Sequence, residues 1–135
     1  MSILKVNTIQ DALGNNPSTA AQLNQGRAKA WVNFAGSGTL TSSSQTGVRD
    51  SFNISSVEDS AAGVYTVNIN TNMADANYVV VVTVEAGSNN DQTSTGGLLF
   101  TNSTKTAGSF KIRTGDTETN NNDDLSGVNA VVFGD

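Results

Sequence analysis

The sequence predicts an all-β protein, a small antiparallel β-sandwich of jelly-roll type that is preceded by an extended arm with one short helix. Two observations lead to this class. Asn, Thr, Ser and Gly make up 61 of the 135 residues, and only 14% of the chain is charged, which is typical of strands joined by polar turns. Seven or eight short segments alternate apolar and polar residues between turn signals, as the strands of a sandwich do.

The length is that of one domain. A chain of 13.9 kDa is expected to bury about two thirds of the surface that it exposes when unfolded, which is enough for one core but not for two. We therefore divide the chain into an assembly arm, residues 1–26, and a β-sandwich domain, residues 27–135.

The arm is predicted because the apolar alternation typical of the sandwich begins only after residue 26. Residues 4–10 alternate as a strand without a strong apolar face, and residues 11–16 have turn chemistry. A short helix is expected next, with Asn16 as its N-cap and Pro17 at its first position. Two helical turns are marginal in isolation, so we expect the arm to dock on another chain.

The sandwich domain is predicted from its apolar alternation. Its strands are expected at residues 28–34, 48–57, 64–70, 78–84, 98–101, 109–113 and 128–133. Residues 78–84 (YVVVVTV) are apolar on both faces, which predicts a central strand covered on both sides, because an exposed segment of this kind would aggregate. Five aromatic residues in the strands are expected in the core: Trp31, Phe34, Phe52, Tyr65 and Tyr78.

Three local features have structural interpretations. Gly36 and Gly38 fit a turn that requires a positive φ. The corner at Asp75–Asn77 is typical of an Asx-type turn before a strand. Arg49 and Asp50 are candidates for an ion pair between neighbouring strands or chains, which contributes about 0–1 kcal/mol when exposed.

The composition excludes several classes of site. The chain has no Cys and no His, which excludes disulfides, zinc sites built on these ligands, Ser-His-Asp triads and cysteine nucleophiles. A net charge of −5 and a pI near 4.4 oppose nucleic-acid binding. No apolar run reaches 18 residues, and the first residues lack the apolar part of a signal peptide, so we expect neither membrane insertion nor secretion by a signal of its own.

Carboxylate pairs are the candidates for glycoside hydrolysis, which needs two carboxyl groups about 5–9.5 Å apart, one of them with a raised pKa. The pairs are Glu58 with Asp59, Asp116 with Glu118, and Asp123 with Asp124. Their neighbours are Ser, Gly, Asn and Thr, which predict solvated and ionised groups. We therefore predict no catalytic residue and no enzymatic activity.

A calcium loop is the second candidate site. Its oxygen ligands would be Asp116, Glu118, Asp123 or Asp124, but the EF-hand requires Gly at its sixth position and Glu at its twelfth. Asn121 and Gly127 stand there. A hydrated surface loop is the preferred interpretation, with a looser calcium site as the alternative, and we predict no metal and no cofactor.

Four segments share their order and spacing with a known group of proteins. They are residues 27–34 (RAKAWVNF) followed by Gly-x-Gly-Thr, 49–56 (RDSFNISS), 63–68 (GVYTVN) and 73–78 (MADANY), and residues 4–10 (LKVNTIQ) are similar to the attachment segments of the same proteins. This set resembles a module of structural proteins in tailed bacteriophages, many of them marine or cyanobacterial. The resemblance covers roughly residues 3–84. Residues 41–47 look like an insertion, and the chain after Glu85 has no landmark of the module.

The resemblance implies a non-enzymatic virion structural protein, assembled in the host cytoplasm, homotrimeric and bound to other virion proteins. We expect a tail-fibre or similar appendage component that presents loops to the host surface. A head-decoration or capsid-cement protein that clamps the shell is the alternative, and a carbohydrate-processing tailspike fragment is the third. Contact with a host glycan or receptor is expected at the polar loops 87–97 and 115–126.

Overall fold

The computed structural model describes residues 5–85, 105–115 and 122–134. Its regular elements are antiparallel strands and one short helix, which confirms the predicted all-β class. The strands are β1 Thr8–Ile9, β2 Ser18–Thr19, β3 Ala30–Phe34, β4 Val48–Phe52, β5 Ile54–Ala61, β6 Val64–Ile69, β7 Val79–Glu85, β8 Ser109–Arg113 and β9 Gly127–Phe133, and the helix α1 spans Ala20–Gly26. The predicted strand 98–101 lies outside the described residues.

Two antiparallel sheets form the sandwich. One has the strand order β4-β3-β9-β7 and the other the order β5-β6-β8. Phe34 from the first sheet meets Tyr65 from the second edge to face, with ring centroids 5.0 Å apart. Both sheets contribute to one core, whose buried strand residues are Ala30, Val32, Phe34, Val57, Tyr65, Val67, Ile69, Val82, Phe110, Ile112, Val128, Ala130 and Val132. Ala30, Val32 and Phe34 of β3 and Tyr65, Val67 and Ile69 of β6 thus occupy the inward faces of their strands.

The segment 48–57 is not the single strand that its alternation predicts. The chain leaves β4 in the four-stranded sheet and enters β5 in the three-stranded sheet through Asn53, whose φ is 55°. Asn tolerates this left-handed conformation better than most residues. Its Nδ2 donates to the carbonyl oxygens of Lys29 (3.0 Å) and Thr71 (3.1 Å), and its Oδ1 accepts from the Thr71 N–H (2.8 Å). These bonds hold the corner at which the chain changes sheets.

Residues 78–84 do not form a strand that is covered on both sides. Within the described part of the chain, β7 pairs only with β9, while β9 lies between β3 and β7. Val82 faces the core, but Val79 and Val81 are 59% and 50% exposed. The prediction that both faces of this strand are covered is wrong, because the outward valines face no second layer among the described residues.

The aromatic residues divide between the core and the surface. Phe34, Tyr65 and Tyr78 are buried as predicted. Trp31 is only half-buried and Phe52 is 53% exposed, so the expectation that both belong to the core is wrong. They lie on the outer face of the four-stranded sheet, because Ala30 and Val32 take the inward positions of β3.

Gly36 and Gly38 are required for close packing, and the expectation of a positive φ is wrong at both. A Cβ on Gly36 would collide with the Tyr65 hydroxyl and would lie 2.8 Å from the Leu125 carbonyl oxygen. A Cβ on Gly38 would lie 2.5 Å from the Cα of Gly47. Both turns therefore exclude side chains by contact with the neighbouring chain.

The Asx-type turn at Asp75 is confirmed. Oδ1 of Asp75 accepts from the Asn77 N–H (2.6 Å), and Oδ2 accepts from the Asn77 side-chain amide (2.8 Å). These hydrogen bonds stabilise the carboxylate and hold the pKa of Asp75 below its usual value. The turn fixes the approach of the chain to β7.

The two tyrosines of the chain provide a test of the core. Burial raises the pKa of Tyr78 to about 12, and burial and the hydrogen bond to Asp124 raise the pKa of Tyr65 as well. Both folded-state values exceed the unfolded value of about 10. The neutral rings therefore contribute stability that is complete below about pH 10 and is lost as the pH rises toward the folded-state values.

We expect the native protein at about pH 10.5 to show almost no tyrosinate absorbance, and the urea-unfolded chain at the same pH to show about three quarters of the full signal. Ultraviolet difference spectra of the two samples measure this directly. A native protein in which one tyrosine titrates near its ordinary pKa would contradict the burial of that ring.

Candidate functional site

Among the described carboxylates of the predicted pairs, Glu58 and Asp124 accept hydrogen bonds within the sandwich, whereas Asp59 and Asp123 are exposed. Glu58 lies on β5, where its Oε1 accepts from the side-chain amide of Asn68 (3.1 Å) on β6. Asp124 is half-buried, and its Oδ1 accepts from the Gly63 N–H (2.6 Å) and the Tyr65 hydroxyl (2.7 Å). The expectation that Asp124 is solvated is therefore wrong, because it joins the segment before β9 to the start of β6.

The proposed calcium ligands are not all within the described structure. Asp116 and Glu118 lie outside the described residues, and so does loop 87–97. Across residues 5–85, 105–115 and 122–134, the structure contains no group of three or more Asp or Glu side chains placed to hold a metal ion. The helix in this part of the chain is too short to cross a membrane.

Replacing Asp124 with alanine is expected to lower the free energy of unfolding by about 1–3 kcal/mol. The substitution leaves the hydroxyl of the fully buried Tyr65 and the Gly63 N–H without their acceptor. Urea unfolding measures the loss. The matched control is Asp123→Ala, which removes an exposed carboxylate next to it and is expected to change stability by about 0.5 kcal/mol or less. Equal losses in the two variants would contradict the structural role of Asp124.

Arg49 makes its ion pair with a different partner from the one predicted. Its Nη1 lies 3.7 Å from Oε2 of Glu85 on β7, and its Nη2 donates to the Ser126 carbonyl oxygen (2.6 Å). The neighbouring Asp50 instead accepts from the Ser51 N–H (2.8 Å). The guanidinium thus reaches from one edge strand of the four-stranded sheet toward the other, and the exposed pair contributes about 0–1 kcal/mol.

The arm is held together by local hydrogen bonds. In the turn after β1, Oδ1 of Asp11 accepts from the N–H groups of Leu13 (3.0 Å) and Asn15 (2.8 Å), which confirms the predicted turn at residues 11–16. β1 then pairs antiparallel with β2. These contacts make the described arm, residues 5–26, a small hairpin that leads into the helix.

The helix exists, but it begins later than predicted. Its N-cap is Thr19, whose Oγ1 accepts from the Gln22 N–H (3.2 Å), while Oε1 of Gln22 accepts from the Thr19 N–H (2.8 Å). This reciprocal pair is a capping box. The Thr-x-x-Gln signal at residues 19–22 was present in the sequence, and it identifies the start of the helix better than Asn16 and Pro17 do.

The arm carries apolar side chains that the core does not include. Val6, Ile9, Leu13 and Leu23 are 44%, 53%, 86% and 45% exposed, and α1 has no buried residue. Val6, Ile9 and Leu23 line a groove of about 340 Å³ between the hairpin and the helix, which we call the arm groove; its other lining residues are Thr8, Ala20, Asn24 and Arg27. A folded element with an open apolar groove is the first candidate interaction site.

The outer face of the four-stranded sheet is the second candidate, and the sequence pattern did not predict it. Directly opposed residues of antiparallel strands share a face, so the strand register places six apolar side chains side by side. We call them the outer patch: Trp31, Phe52, Val79, Val81, Val131 and Phe133. The run of valines in β7 was the sequence signal that could have identified this patch, because outward valines that no second layer covers form an exposed apolar surface.

A polar row borders the outer patch. Asn33, Asp50, Asn129 and Thr83 are the next outward residues along β3, β4, β9 and β7. The side-chain amide of Asn33 donates to Oδ1 of Asn129. The patch therefore has an aromatic and aliphatic centre beside a hydrogen-bonded polar border, which is the composition of a protein–protein interface.

Comparison of the chain with known proteins identified no relative. No family model matches the chain, and neither the curated proteins nor the solved structures contain a match to it.

Proposed function

We propose that this chain is a non-enzymatic structural component of a tailed-phage virion, in which the arm docks on a neighbouring protein chain and the β-sandwich is displayed on a tail fibre or similar appendage. The observation that carries the proposal is the arm itself. It is a folded hairpin and helix whose apolar side chains Val6, Ile9 and Leu23 remain exposed. The assignment to a tailed-phage virion rests on the sequence resemblance to phage structural proteins.

Docking provides the arm with the stabilisation that its own chain lacks. A helix of seven residues is too short to be stable alone in water, even with a capping box. Complete burial of a Leu, Ile or Val side chain contributes about 1.5–3 kcal/mol, and the three groove side chains are about half exposed. Covering them with another chain would therefore stabilise the arm by a few kcal/mol.

One carboxylate of each described pair is engaged in the sandwich, which supports a non-enzymatic role. Glu58 is bonded to Asn68 and Asp124 to Tyr65, so both serve the packing of the sandwich. Incubation of the protein with the surface polysaccharide of its host tests this part of the proposal. Release of shorter glycans, measured by chromatography, would favour the carbohydrate-processing tailspike instead.

The decisive experiment is the copy number of this protein in purified virions, measured by quantitative mass spectrometry against the major capsid protein. A small fraction of the shell count is expected for a homotrimeric appendage. A ratio near that of the shell would favour the second candidate, a head-decoration protein whose arm clamps shell subunits. Absence from purified virions would overturn the virion proposal.

A further inference from the structure

Two exposed apolar surfaces of this chain remain uncovered by its own described residues. One is the arm groove, and the other is the outer patch, in which Phe52, Val79 and Val81 are 53%, 59% and 50% exposed. Contiguous exposed apolar patches on soluble domains mark contact sites for other proteins. Each surface therefore requires an occupant, and each is suited to the other.

The arm leaves the sandwich beside the apolar half of the outer face. The N–H of Lys29, just before β3, donates to the Val132 carbonyl oxygen (2.8 Å). The outer-patch residues lie on the part of the sheet nearest this point, whereas the polar row and Glu85 lie toward its far end. Gln25 of the helix shares a cavity with Tyr78 and Gly134 at the same end. The arm and the outer patch of one copy therefore lie at the same end of the sandwich.

Charge favours an arm over a second sandwich body as the occupant. Lys5 and Asp11 are the only charged side chains of residues 1–26, so the arm is neutral and the net charge of −5 lies on residues 27–135. Two bodies placed face to face would bring like charges together, which destabilises a wrong pairing. An arm without net charge that exposes Val6, Ile9 and Leu23 covers the patch without that repulsion.

We propose that the outer patch of one copy receives the arm of a second copy, with Leu23, Ile9 and Val6 of the arm groove packed against the patch around Val81. The inference deepens the proposed function and rests on it, since it names the partner of the assembly arm. The contact is head-to-tail, and such contacts close into rings when the rotation permits. A homotrimer is one ring of this kind.

The first test introduces single cysteines, because the natural chain has none. We expect an oxidised mixture of the Leu23→Cys and Val81→Cys full-length variants to form a mixed disulfide between two chains. A mixture of Leu13→Cys with Val81→Cys is the control, since Leu13 is not part of the arm groove, and it is expected to link far less. Equal linking in the two mixtures would overturn the proposal.

The double variant Leu23→Cys, Val81→Cys separates a second copy from the chain's own arm. Oxidation of dilute double variant is expected to give products of two or more chains. A disulfide closed within one chain, with no linked chains, would show that the arm folds back on its own body and would overturn the proposal. The absence of any Leu23–Val81 disulfide would overturn it as well.

A second test measures self-association of the full chain by sedimentation velocity. Val81→Asp places a charge in the outer patch and is expected to raise the dissociation constant of the assembly by about tenfold or more. Thr83→Asp places the same charge on the same strand and face in the polar row, and it is expected to have much less effect. A monomeric natural chain, or an assembly that Val81→Asp leaves unchanged, would overturn the arm exchange.

The two proposals fail in different ways. If the mixed disulfide forms but the protein is absent from virions, the arm exchange stands and the virion function falls. If the protein is present in virions and Val81→Asp assembles normally, the function stands and the arm exchange falls.

Discussion

Replacing Phe34 with alanine is expected to lower the free energy of unfolding by about 3–5 kcal/mol. The ring is fully buried between the two sheets and packs edge to face against Tyr65, with ring centroids 5.0 Å apart. The lost stability has two parts: the hydrophobic free energy of the removed ring and the cost of the cavity it leaves. The cavity stays open because β3 is paired on both sides, with β4 and with β9. Urea unfolding followed by circular dichroism measures it at a protein concentration at which the chain is monomeric.

The matched control is Phe52→Ala, which makes the same chemical change on the neighbouring strand. Because 53% of the Phe52 side chain is exposed, we expect a loss of about 1 kcal/mol or less. The difference between the two variants tests the placement of the two rings on opposite faces of one sheet. Similar losses at both positions would contradict that placement.

Deleting residues 1–26 is expected to leave the sandwich folded and to abolish assembly. The buried core includes no residue of the described arm, and the described arm is exposed along nearly its whole length. We therefore expect the free energy of unfolding to change by about 1 kcal/mol or less, as for surface changes away from the core. The same deletion removes the arm groove, so association and incorporation into particles should be lost.

Two measurements on the shortened chain check this outcome. Circular dichroism reports whether the sandwich folds, and sedimentation velocity with an incorporation assay reports assembly. The full-length variant Leu23→Asp is the control, because it keeps the arm and alters only its groove, and it is expected to weaken assembly in the same direction. An unfolded body, or normal incorporation of the shortened chain, would contradict the role of the arm.

Much of the fold was predictable because alternation is a local property of the chain. The strands β3, β6, β8 and β9 lie where apolar and polar residues alternate between turns, and the Asx-type turn at Asp75 follows from the chemistry of three adjacent residues. The capping box of Thr19 and Gln22 is equally local. Features of this kind depend on neighbours in the sequence, so the sequence alone contains their cause.

The corner at Asn53 shows where this reasoning stops. Val48, Phe52 and Ile54 share one set of alternate positions across this corner, and this spacing does not reveal that one left-handed residue moves the chain from one sheet to the other. The outward position of Phe52 follows from its pairing with Trp31, because a register shift between Asn33 and Phe34 leaves Val48, but not Phe52, on the core side of β4. Asp124 is a second case, because its acceptor role depends on Tyr65, which is 59 residues away in the chain.

The two candidate interaction sites also differ in how far the sequence predicts them. The arm was predictable in part, because the sequence indicates a turn and a short helix without a core in residues 1–26, whereas the pairing of β1 with β2 was not predicted. The outer patch was not, since its members come from β3, β4, β7 and β9 and become neighbours only through strand order and register. The run of valines in β7 indicated a buried strand, and strand order placed it at an edge among the described strands.

By itself, the sequence determined the all-β class and the exclusion of Cys- and His-dependent chemistry. Only the tertiary structure decided which face of each strand is covered, which residue accepts the Tyr65 hydroxyl, and which apolar side chains remain exposed. The physical reason is that alternation defines two faces for a strand, whereas burial depends on where the second sheet lies. That position is set by contacts between residues far apart in the chain.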